Sequence, residues 1–103
     1  MSQHLATATI NGLPVEVVAG FDRRLGDCFL QVANGPDDTL YTSLQEPFLD
    51  WTDIETLRAK VAELGLLLPA RLVDEVEGDG RRRAGNRIVR HLVDGPPVTL
   101  MAG

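Results

Sequence analysis

Thr7-Ala8-Thr9-Ile10-Asn11-Gly12-Leu13-Pro14-Val15-Glu16-Val17-Val18 decides the fold class. Two runs of strand-forming residues flank an Asn-Gly pair. Asn-Gly readily takes the positive φ angles of a two-residue hairpin turn, so the stretch predicts two antiparallel strands. Leu13, Val15 and Val17 fall on one face of the second arm at period two. Pro14 has no N–H for a ladder, which predicts that this arm begins at a sheet edge.

Outward from the hairpin, Ala19 to Gly26 breaks the pattern with a polar tip, Asp22-Arg23-Arg24, bracketed by Gly20 and Gly26. Cys28 to Val32 reads as a third strand, Asn34-Gly35-Pro36-Asp37-Asp38 as a dense turn, and Thr39 to Leu44 as a fourth strand. Short polar turns between successive strands imply an antiparallel meander, because parallel pairs need long crossovers.

The period then changes. Thr52-Asp53-Ile54-Glu55 has the form of a capping box, with the Thr52 hydroxyl accepting from the Glu55 N–H. Ile54, Leu57, Val61 and Leu64 follow at helical spacing, and Gly65 is a natural stop. Pro69 suits the first turn of a second helix carrying Leu72, Val73 and Val76. That helix is expected to end near Gly78, with Gly78-Asp79-Gly80 as a turn and Arg81 to Arg83 in a flexible loop. Arg87 to Val93 alternates as a last strand, Asp94-Gly95-Pro96-Pro97 ends it, and residues 96–103 read as a loose tail. The expected fold is α+β: an antiparallel sheet of about five strands, in the order β-β-β-β-α-α-β, with two helices packed on one face. At 103 residues the chain reads as one domain, 1–103.

Charge gives the sharpest functional hint. Arg81, Arg82, Arg83, Arg87 and Arg90 supply five of the ten basic residues within one window that holds no acid, and His91 follows. The rest of the chain carries the other five basic and all fifteen acidic residues, a net charge of −10. An acidic balance of −5 overall opposes general adhesion to nucleic acid or an anionic membrane, yet leaves a local basic contact open. Three readings of the window follow. The arginines neutralise the acidic stretch Asp74, Glu75, Glu77 and Asp79, they contact a protein partner, or they bind phosphate. Arg87 and Arg90 lie an odd number of residues apart and so fall on opposite strand faces. No aromatic residue is interleaved with the arginines for base stacking.

Catalytic chemistry finds no footing. Ser2 and Ser43 lack a nucleophile elbow, and no Cys, His and Asp cluster has zinc-like spacing. Asp74-Glu75-x-Glu77-x-Asp79 lacks the calcium-loop pattern. His4 lies near a terminus expected to be mobile. The single Cys28 reads as a small core residue, not a reactive thiol, and suits a reducing compartment. No catalytic residue, metal or cofactor is therefore expected, and the chain has no run long enough to span a bilayer. In Gln45 to Trp51 the choice stays open between Trp51 as a core or staple residue and Trp51 as an interface anchor.

Gly20-Phe21-Asp22-Arg23, Leu40-Tyr41-Thr42-Ser43-Leu44 with Pro47, Leu64-Gly65-Leu66 with Leu68-Pro69, and Gly85-Asn86-Arg87 with His91 occur in that order. The pattern resembles a group of short uncharacterised bacterial proteins. The resemblance implies a bacterial cytoplasmic protein of the kind carried on mobile elements, with no activity or site to carry over. The expected function is a non-catalytic adaptor or inhibitor that binds another protein through Arg23, Arg24, Arg81, Arg82, Arg83, Arg87 and Arg90. The alternative is a phosphate or nucleic-acid contact through the window from Arg81 to Arg90. A lesser alternative, by analogy of size and charge, is an inhibitor of a bacterial defence system.

Overall fold

Asn11 and Gly12 both adopt positive φ, 51° and 80°, and close the hairpin between β1 (Ser2–Ile10) and β2 (Leu13–Asp22). In this computed structural model, which describes residues 1–92 and 94–102, the meander continues through β3 (Asp27–Ala33) and β4 (Thr39–Thr42). Helices α1 (Ile54–Glu63) and α2 (Ala70–Arg82) follow, then β5 (Arg87–Arg90) and β6 (Val98–Ala102). The fold is α+β, and the described residues form six strands in the order β4-β3-β2-β1-β5-β6.

The sheet is mixed, which corrects the expectation of a purely antiparallel one. β5 lies parallel to β1, with Ser2 opposite Arg87 and His4 opposite Val89. This pairing joins the two ends of the chain and has no turn to announce it. β1 also starts five residues earlier than the Thr7 start read from the sequence, so His4 lies inside the sheet instead of at a mobile terminus. Val98 to Ala102 form a strand on β5 where a loose tail was expected. β5, read from the sequence as a strand from Arg87 to Val93, ends at Arg90. Val93, which the sequence reading included in it, and Gly103 of the expected tail lie outside the described residues.

β2 is an interior strand, not an edge. Pro14 is accommodated because β3 begins to pair only at Glu16–Ala33, beyond the proline. Gly20 is required on the same strand: an added Cβ would stand 2.0 Å from the Ser2 carbonyl oxygen and 2.7 Å from the Phe29 ring. Val15, Val17, Ala19, Leu30 and Val32 face the helices and bury against Leu57, Leu72, Val73 and Val76. The alternate strand positions, among them Val18, Phe29 and Gln31, point away from the helices.

The cap of α1 is shifted by one residue from the expected box. Asp53 is the N-cap and accepts from the Glu55 N–H at 2.9 Å. The Thr52 hydroxyl instead donates to the Asp50 carboxylate, which already accepts from the Thr52 N–H. An Asp two residues upstream therefore outcompetes the helix end for Thr52. Trp51 is core: it is buried and its indole N–H donates to the Glu46 carbonyl at 3.0 Å. Lys60 draws α1 onto the same segment through an ion pair to Glu46 at 2.7 Å, and it also pairs with Glu63 of its own helix at 2.6 Å. These raise its pKa.

Candidate functional site

The arginine window is divided by the end of α2. The helix runs through Gly78 and Gly80 to Arg82, so the expected turn at Gly78-Asp79-Gly80 is helical and Arg81 and Arg82 are in its last turn. Two glycines cost a helix roughly 1 kcal/mol each relative to alanine. What outweighs them is Asp79, fully buried between them and held by several partners. Arg82 donates to Asp79 Oδ1 at 2.7 Å and Arg87 to the same oxygen at 2.8 Å. Arg87 also reaches Glu75 at 3.1 Å, and Arg81 pairs with Glu77 at 3.1 Å. Arg90 points to the opposite sheet face, where it pairs with Glu16. Asp74 is taken by Arg58 of α1 at 2.9 Å.

Among the described residues four arginines have no carboxylate partner; Arg71 is half-buried and bonds to His91 and two carbonyls, which leaves Arg23, Arg24 and Arg83. All three are exposed. Arg23 and Arg24 occupy the β2–β3 turn, where Asp22 Oδ1 accepts from the Arg24 N–H at 3.0 Å and Gly26 N–H donates to the Asp22 carbonyl at 2.8 Å. Arg83 ends α2 in the left-handed region at φ 50°, a position that favours glycine. Its guanidinium donates to the Arg23 carbonyl at 3.3 Å. The structure therefore brings Arg83 to the turn that carries Arg23 and Arg24, and ties Arg82 and Arg87 to the protein interior.

Beneath the window lies a buried polar chain that the sequence reading missed. His4 Nε2 is 2.7 Å from Asp79 Oδ2, His4 Nδ1 is 2.8 Å from His91 Nε2, and Arg71 Nε donates to His91 Nδ1 at 3.4 Å. Arg71 has only donors, so His91 Nδ1 must accept. His91 then carries its proton on Nε2 and donates to His4 Nδ1, and His4 donates from Nε2 to Asp79. Burial pushes the Asp79 carboxyl up, but bonds from His4 and Ser2 and the charge of Arg87 prevail and hold it below the usual range. Burial lowers the pKa of His91, and the charges of Arg71 and Arg87 add to this against Glu75.

His4, Glu75 and His91 also bring potential ligand atoms within 4.8 Å of one another. The two rings are not arranged for a shared ion. Their centroids are 5.1 Å apart across the 2.8 Å N···N contact, the separation of rings that face each other end-on. The two nitrogens thus aim at each other along one line, as in a hydrogen bond. A zinc ligand pair converges on a third point about 2.0–2.1 Å from each nitrogen. With His4 Nε2 already engaged by Asp79, the cluster fits a proton-sharing chain better than a metal centre.

On the sheet face away from the helices, the segment after β4 rims a groove of about 640 Å³. Val18, Phe29, Leu44, Leu49 and Trp51 line it, with Leu25 from the same turn as Arg23 and Arg24. Leu25 is 71% exposed, Leu44 83%, and Phe48 on the same segment 79%. Cys28 also borders the groove, but burial and the neighbouring Asp27 push its thiol up to about 11, so it stays protonated and unreactive near neutral pH.

No protein-family model, curated protein or solved structure matches this chain. Among the described residues, no helix is long and apolar enough to cross a membrane.

Proposed function

We propose that this chain is a non-catalytic protein-binding module, an adaptor or an inhibitor, whose partner docks at the β2–β3 turn. One observation carries the reading. Arg83 is brought sixty residues along the chain onto the Arg23 carbonyl, while Arg82, Arg87 and Arg90 bond to carboxylates of their own chain. Three exposed guanidiniums thus sit beside the exposed Leu25. Apolar anchors rimmed by arginine are typical of interface hot spots, and guanidiniums form forked bonds to partner carboxylates. Arg81, exposed but paired with Glu77, contributes less.

A capture experiment from bacterial lysate, treated with nuclease, tests this. The variant Arg23→Ala/Arg24→Ala/Arg83→Ala is expected to lose at least tenfold of its partner's affinity at unchanged melting temperature, because each uncommitted arginine is worth about 1 kcal/mol or more at an interface. Equal recovery by the variant contradicts the reading. Recovery that depends on nucleic acid favours phosphate contact instead. With three uncommitted arginines, the log–log salt slope would then be no steeper than about −3.

A further inference from the structure

We propose that the contact between His91 and Arg71 is an acid-sensitive latch that holds the β5–β6 connection and, through it, β6 on the sheet. This goes beyond partner binding and rests on a different part of the molecule.

Arg71 reaches from the first turn of α2 to three acceptors. Its Nε donates to His91 Nδ1 at 3.4 Å, and its Nη2 donates to the Leu92 carbonyl at 2.9 Å and the Gly95 carbonyl at 2.6 Å. Those two carbonyls belong to the segment between β5 and β6. β6 is an edge strand paired with β5, and all five of its residues are exposed. Its register with β5 is interrupted between Ile88 and Val89. A strand attached in this way opens at lower free energy than the core strands.

His91 is enclosed on every side by groups that fix its proton. From β1, His4 accepts its Nε2–H, and the Leu5 carbonyl accepts its backbone N–H at 2.8 Å. From α2, Arg71 donates to Nδ1, Glu75 Oε2 lies 3.7 Å from Nδ1, and Asp79 stands behind His4. From its own side, Arg87 holds the other oxygen of Glu75. A second proton on His91 would have to sit on Nδ1, facing the Arg71 N–H. Two donors and two positive charges would then share one contact. Glu75 Oε2, at 3.7 Å, is beyond hydrogen-bond distance of Nδ1. Taking up the proton therefore means releasing Arg71, and with it the Leu92 and Gly95 carbonyls.

The sign follows from linkage. In the closed form His91 is held below its ordinary value of 6.5, whereas in the opened form it is solvated and titrates near that value. The latch contributes fully above about pH 6.5 and loses strength as the pH falls below it, down to the depressed pKa of the closed form. Each pH unit in that interval raises the ratio of open to closed by up to about tenfold.

Amide-exchange protection factors, corrected for the intrinsic pH dependence of exchange, test this directly. Protection of Val98 to Ala102 is compared with that of Val15 and Val17 at about pH 7.5 and about pH 5.5. Wild type is expected to lose protection in β6, by up to about tenfold, while β2 is unchanged. His91→Gln retains a donor for His4 and an acceptor for Arg71 but cannot take up a proton, so its β6 protection should not respond to pH. Arg71→Gln should show weakened β6 protection already at about pH 7.5, with little further response to acid. A wild-type strand with no pH response overturns the proposal. So does an equal loss in His91→Gln, a parallel loss in β2, or full β6 protection in Arg71→Gln.

Discussion

Asp79→Ala is expected to lose about 3–5 kcal/mol of folding stability, the largest effect of any side-chain truncation in this protein. Asp79 is fully buried, and its two oxygens gather Arg82, Arg87 and His4 from α2, β5 and β1. Removing the carboxylate leaves part-buried positive charge and a buried imidazole without their acceptor, and leaves Gly78 and Gly80 in a helix end with nothing to hold it. Urea unfolding at neutral pH measures the loss, and Glu77→Ala, which removes a carboxylate whose pairs are only partly buried, should cost far less. The pH dependence has a definite sign. Because Asp79 is held below its ordinary value of 3.8, its contribution is present above that value and disappears as the pH falls through the lower folded value. The wild-type advantage over Asp79→Ala should therefore shrink in strong acid. A variant within about 1 kcal/mol of wild type at neutral pH would mean that the buried chain is not a structural anchor.

Leu57→Ala should cost about 2–5 kcal/mol. Leu57 has no exposed surface and sits in the core between α1 and the sheet with Leu30, Leu72 and Val76. The deleted methyls forfeit their burial energy, and a cavity remains because strands and helix are both fixed by other contacts. Leu67→Ala is the counterpart: Leu67 is 86% exposed, and its truncation should leave the unfolding midpoint within error. Equal midpoints for wild type and Leu57→Ala would remove the packing described for α1.

The meander and the α1 stripe were legible because their signals are local. Asn11-Gly12 carries its own turn geometry, and Ile54, Leu57, Val61 and Leu64 carry their own period. The parallel β1–β5 pair was not legible, since nothing near Ser2 refers to Arg87. The same gap hid the buried chain, whose members His4, Asp79 and His91 are separated by 75 and 87 residues from His4. One signal was present: Ser2, His4, Ala6 and Ala8 alternate at period two and extend β1 backwards, placing His4 on the buried face. Gly78 and Gly80 misled in the other direction. Local propensity favours a turn there, and the fixed position of Asp79 overrides it. For the window itself, sequence showed the arginines but not their neighbours. Only the fold divides Arg82, Arg87 and Arg90, bonded within the chain, from Arg23, Arg24 and Arg83 at the surface.

That division depends on the buried chain being built as described, and nitrogen-15 NMR of the histidine rings tests it most directly. The expected result is that the proton shared by the two rings sits on His91 Nε2, that His4 Nδ1 accepts it, and that a nitrogen–nitrogen coupling connects the two nitrogens across their hydrogen bond. Rings that exchange freely with solvent, or a proton on His91 Nδ1 in place of Nε2, would contradict it.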